Sequence, residues 1–94
     1  MCTYLTEVVE LQGSGKGPEG WFPVTTASVY FDHPVHAPAE HTLNVDLLNP
    51  ALGAGARVAM ELDPSAARAL ATAILEVLGS APAAVLTQAR QVRT

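Results

Sequence analysis

All three histidines of this 94-residue chain lie between positions 33 and 41, in the segment Asp32-His33-Pro34-Val35-His36-Ala37-Pro38-Ala39-Glu40-His41. Imidazole is the commonest protein ligand for zinc, copper and non-haem iron, and three imidazoles leave a coordination position open for chemistry. The segment therefore points to one divalent transition metal held by His33, His36 and His41. Glu40 is placed to be a fourth ligand or a general base on metal-bound water, and Asp32 or Asp46 to orient an imidazole. A donor set of imidazoles and one carboxylate does not distinguish zinc, iron and copper. The spacing His-x2-His-x4-His matches none of the defined zinc signatures, and no His-Glu-x-x-His motif is present. The competing reading is three polar side chains at a loop and its strand ends, hydrogen-bonded to nearby carboxylates.

Three further positions carry chemistry-bearing side chains. Cys2 becomes the first residue if Met1 is removed, and its thiolate would then serve as nucleophile or extra ligand; the alternative is a small residue opening a strand. Glu7 shares its parity with Leu5, Val9 and Leu11, and a carboxylate among apolar neighbours is suited to acid–base work unless it lies at an exposed strand edge. Trp21 is a candidate wall for a substrate pocket, or else part of a core or an interface. The run Gly13-Ser14-Gly15-Lys16-Gly17 lacks the Gly-x4-Gly-Lys-Ser/Thr pattern of a phosphate-binding loop, and no helix follows it.

The elements that must position these groups are legible from periodicity. Residues 3–11 read as a first strand, and residues 12–20 as a loop because of their glycines and proline. Residues 21–32 form a second extended stretch, bent near Pro23, with Ala27-Ser28-Val29-Tyr30-Phe31 its strongest part. Residues 42–48 alternate apolar Leu43, Val45 and Leu47 with polar Thr42, Asn44 and Asp46. Residues 57–62 make the fourth strand, with Val58, Met60 and Leu62 on its apolar side. Asp63-Pro64 opens a helix, with Asp63 as N-cap and a stripe of Ala67, Leu70, Ala71, Ile74, Val77 and Leu78, and Gly79 is a natural stop. If residues 27–33 and 41–48 pair as a hairpin, His33 and His41 stand at the mouth of its loop. Directly opposed residues there lie about 4.5–5.5 Å apart at Cβ.

The expected architecture is α+β: a four-stranded antiparallel sheet with one C-terminal helix packed on one face. Residues 1–79 form the single domain, and residues 80–94 a tail that is a short helix or disordered. One helix covers only one sheet face, so the second face is expected to be covered in a homodimer, sheet on sheet. Apolar residues make up 49% of the chain and charged residues 15%, a composition that fits buried surface between subunits. Lys16, Arg57, Arg68, Arg90 and Arg93 are scattered against nine acids, which argues against nucleic acid and against an anionic membrane surface. One cysteine excludes an internal disulfide, and the first residues lack a secretory pattern, so a cytoplasmic location is expected.

The run Met1-Cys2-Thr3-Tyr4, the Gly-Ser-Gly-Lys-Gly segment, Trp21-Phe22, Asp32-His33-Pro34-Val35-His36 and Glu40-His41-Thr42-Leu43-Asn44 together resemble a small family of unknown function from high-GC bacteria. The resemblance covers residues 1–79 and implies no particular reaction. It does imply that the histidine segment and the N-terminal strand belong to one pattern. The leading functional expectation is a metal-dependent enzyme acting on a small organic molecule. A non-catalytic accessory protein that captures a metal or small ligand is the alternative, and a metal-free interaction module the third. An enzyme needs a pocket behind an open coordination position; a carrier needs only access; a module needs an exposed apolar patch.

Overall fold

The computed structural model describes residues 5–33 and 40–86. Strands β1 (Thr6–Gly17), β2 (Gly20–Asp32), β3 (Thr42–Leu48) and β4 (Arg57–Leu62) form one antiparallel sheet in the order β1-β2-β3-β4. Helix α1 (Pro64–Ser80) and the short α2 (Ala83–Leu86) follow. This is the expected α+β architecture, and β3 and β4 occupy the residues that their alternation marked.

Register sorts the side chains into two faces. Ala27 is opposite Leu47 and Leu47 opposite Val58; the next rows are Val29, Val45 and Met60, then Phe31, Leu43 and Leu62. The other face carries Tyr30, Asn44 and Glu61 in one row and Ser28, Asp46 and Ala59 in the next. Strict alternation would separate Val24 from Ala27, yet both are buried, at 4% and 6% exposure. Between them Thr25 and Thr26 bring their hydroxyls within 3.5 Å of each other, and the β1–β2 register shifts between Glu10 and Gly13. One extra residue in a ladder strengthens the local bend.

The bend corrects the sequence expectation for residues 12–20. They are strand, not loop, apart from the two residues Pro18 and Glu19 that turn the chain. Gly20 takes φ +111°, a conformation that side chains rarely adopt, and so closes this turn. The glycines are tolerated because the ribbon end curls over the start of β4. A Cβ at Gly15 would sit 2.9 Å from Val24 Cγ2 and 3.5 Å from Val58 Cγ2, and one at Gly17 would sit 3.2 Å from the Arg57 carbonyl oxygen. Glycine here permits close approach instead of marking a loop. Buried Asn49 fastens the same region by donating from Nδ2 to the Pro23 carbonyl at 2.9 Å.

Helix α1 begins as its sequence dictates. The Asp63 carboxylate accepts from the Ala66 N–H at 2.8 Å and from the Ser65 hydroxyl at 2.8 Å, with Pro64 in the first turn. The expected stop at Gly79 is one residue early. The helix runs through Ser80, and Ala81 adopts an extended conformation (φ −78°, ψ 147°) ahead of Pro82. Proline disfavours helical backbone in the residue before it, so it sets the boundary more strongly than the glycine does. No residue of α1 is buried; Ala66 and Ala67 of its first turn are half-buried, and the rest of the stripe is exposed. No helix among the described residues is long and apolar enough to cross a membrane.

Candidate functional site

The last rung of the β2–β3 ladder pairs Asp32 with Thr42, so His33 and His41 occupy the next opposed positions. Their ring centroids are 4.4 Å apart and inclined at 35°. This is the juxtaposition expected of the hairpin mouth, and it follows from register alone. His33 is exposed and His41 half-buried. The Phe31 ring lies parallel to His41, with centroids 5.7 Å apart and planes 8° apart, and fixes the imidazole from the apolar face. Phe31 carries no chemistry of its own, but its place two residues before His33 on one strand parity is the signal that would have found it.

Hydrogen bonds around the mouth orient one ring. His33 Nδ1 lies 3.1 Å from the Glu40 carbonyl oxygen. An Nδ1–H donated to that carbonyl leaves the lone pair on Nε2, the arrangement in which a histidine binds metal while its other nitrogen is held by the protein. Asp32 does not orient an imidazole; its carboxylate accepts the His33 backbone N–H at 2.7 Å. Asp46 is engaged on the opposite, polar face. It receives the Tyr30 hydroxyl at 3.2 Å and pairs with Arg57 at 2.8 Å. Both carboxylates expected to orient a ring therefore have other structural duties. Thr42 and Asn44, buried beside them on β3, satisfy each other through a 2.6 Å hydrogen bond between Thr42 Oγ1 and Asn44 Oδ1.

Of the other candidates, Glu40 is exposed at the edge of the histidine pair, with its backbone carbonyl at His33. Glu7 is exposed on β1 opposite Val29. Trp21 is 71% exposed at the far end of β2, roughly 40 Å along the strand from His33 at ~3.3 Å per residue. There it lines a cleft of about 160 Å³ with Glu19, Phe22 and Leu52, apart from the histidines. His36 and Cys2 lie outside the described residues. Among the described residues, no group of three or more His, Cys, Asp or Glu side chains gathers into a metal cage. The structure thus brings together His33, His41 and the Glu40 backbone, and it separates them from Trp21.

Comparison with known proteins places one match beside this geometry. The model of DUF6295, a family of unknown function, matches residues 1–87. No curated protein and no solved structure matches the chain.

Proposed function

We propose that this chain, which belongs to the family of unknown function DUF6295, is a small metal-binding protein whose site is built on His33 and His41. The observation that carries this reading is the opposed ring pair at 4.4 Å, with His33 Nδ1 held by the Glu40 carbonyl. Two imidazoles at adjacent strand ends share one divalent ion without rearrangement of the ladder, and zinc, iron and copper all accept such donors. His36 and Glu40 are the loop residues that would complete the donor set. A bound ion supplies Lewis-acid activation of water or of a small organic substrate. Within the chain, Phe31 fixes the His41 plane, the Glu40 carbonyl fixes the His33 tautomer, and Glu40 is available to take a proton.

The exposure of His33 favours one second reading. His33 opens directly to solvent, whereas His41 is half-buried with its Nε2 shielded from water. Solvent access at His33 suits capture and delivery of the ion. Either role belongs to the cytoplasm in this reading.

The test is elemental analysis of untagged protein beside the His33→Ala and His41→Ala variants. Near-stoichiometric metal in the wild type, lost in both variants, supports the site and names the element. Equal metal content in all three proteins, or none after reconstitution, removes it. Turnover of small esters or lactones by the loaded protein would then separate enzyme from carrier.

A further inference from the structure

Helix α1 presents an apolar stripe that its own sheet does not cover. Leu70, Ile74 and Leu78 recur every four residues, with Val77 alongside, at 41%, 51%, 49% and 69% exposure. Residues four apart lie on one helix face, so these four form a continuous ridge. Its small companions Ala67 and Ala71 let another backbone approach closely. The charged residues of the helix, Arg68 and Glu76, lie away from the ridge at helical spacing. Soluble monomers rarely expose a contiguous apolar strip of this kind.

Areas indicate how much cover is missing. The chain exposes 7253 Å², where a compact chain of 9.8 kDa exposes about 5,200 Å². The difference, about 2,000 Å², exceeds the roughly 800 Å² that each partner contributes to a standard protein interface. The Cα radius of gyration, 15.2 Å, likewise exceeds the ~12 Å of a compact domain this long. Val24 and Ala27 are the only buried apolar residues among those described, too small a core to hold the chain alone.

The pattern of the ridge identifies its partner. Inversion about Ile74 exchanges Leu70 with Leu78 and returns Ile74 to itself, and it sets Glu76 level with Thr72 and Arg68 level with Ser80. The ridge is therefore complementary to its own inverted copy, with no like charges opposed, which is the condition for an interface with two-fold symmetry. We infer that α1 pairs antiparallel with α1 of a second copy of this chain, centred on Ile74. From the sequence, one helix covering one sheet face predicts a contact between sheets; the ridge assigns it to the helix instead.

Light scattering coupled to size exclusion on the full chain tests the inference. The wild type is expected at twice the 9.8 kDa chain mass, and Ile74→Glu, which opposes two carboxylates on the axis, at the single-chain mass. Ala69→Glu, on the far side of the helix and level with uncharged Gly79 of the inverted copy, stays at twice the mass. In a Cys2→Ser background, an equimolar mixture of Leu70→Cys and Leu78→Cys is expected to oxidise to the mixed disulfide in preference to either like pair. That result does not depend on whether Ile74→Glu folds. A monomeric wild type at about 100 μM overturns the inference, since mass action favours any real dimer there. So does a monomer that sediments with phosphatidylglycerol vesicles, which would assign the ridge to a lipid surface. Preference for like disulfides overturns the antiparallel arrangement.

Discussion

Gly13 and Gly15 stand two residues apart on β1 and meet different surroundings, so alanine should act on them with opposite sign. At Gly15 the new methyl would lie 2.9 Å from Val24 Cγ2, 3.5 Å from Val58 Cγ2 and 3.8 Å from Phe22 Cζ. Val24 is buried and β-branched, so it has few rotamers in which to retreat. Overpacking of this kind costs about 1–3 kcal/mol. Neither glycine has a positive φ, so the usual gain from restricting the unfolded chain, about 0.4–1 kcal/mol, applies to both. The net expectation for Gly15→Ala is a loss of about 0.5–2 kcal/mol, with Tm falling by roughly 4–8 °C per kcal/mol in a domain this size. Nothing lies within 4 Å of a Cβ at Gly13, so Gly13→Ala keeps the gain alone and Tm rises by a few degrees. Thermal and urea unfolding at one fixed protein concentration measure both. Equal shifts in the two variants, or a stabilised Gly15→Ala, would refute the close packing of Gly15 on Val24 of β2, because a free loop would treat the two sites alike.

Two other predictions concern buried or capping polar groups. Asn49→Ala leaves the Pro23 carbonyl without its 2.9 Å donor, a loss of about 1–3 kcal/mol. Asn49→Asp is expected to be worse, since it faces an acceptor with an acceptor; urea midpoints that rank the two in the other order would exclude this hydrogen bond as the cause. At the head of α1 the Ala66 N–H, and after it the Ser65 hydroxyl, hold the Asp63 carboxyl below its ordinary value of 3.8. A depressed folded value stabilises above the unfolded pKa, and the contribution is lost as pH falls from there through the folded value. The Tm difference between wild type and Asp63→Ala should thus narrow below 3.8, as followed by helical circular dichroism. A gap of constant size down to the acid limit would detach the cap from its charge.

The parts of the fold set by alternation were legible in the sequence, and those set by contact were not. Leu43, Val45 and Leu47 against Thr42, Asn44 and Asp46 mark the extent of β3 because side chains alternate between the two faces of a strand, although it is Thr42 and Asn44 that are buried and the apolar residues that are half-buried. Asp63-Pro64 marks the helix start because both residues act locally. Residues 12–20 were misread because glycine is ambiguous: it loosens a chain in solvent, yet it admits a neighbour where backbone must approach backbone. Only Val24 and Val58, distant in sequence from Gly15, decide between the two. The site divides the same way. Opposition of His33 and His41 follows from hairpin symmetry, whereas the ring partner Phe31 and the carbonyl of Glu40 depend on side-chain angles. The commitment of Asp46 to Tyr30 and Arg57 was hidden because it spans three strands.

The order β1-β2-β3-β4 has a kinetic consequence. Every strand bonds to its neighbour in sequence, so the sheet assembles by successive short closures, each a hairpin forming on a microsecond scale of about 1–10 μs. The remote closure is the meeting of Gly15 with Val58, and it can wait until the ladder between them exists. Low contact order of this kind makes the unimolecular part of folding fast. If α1 joins two chains as inferred above, that joining is the slow event, and the refolding rate should rise with protein concentration while the early strand signal does not.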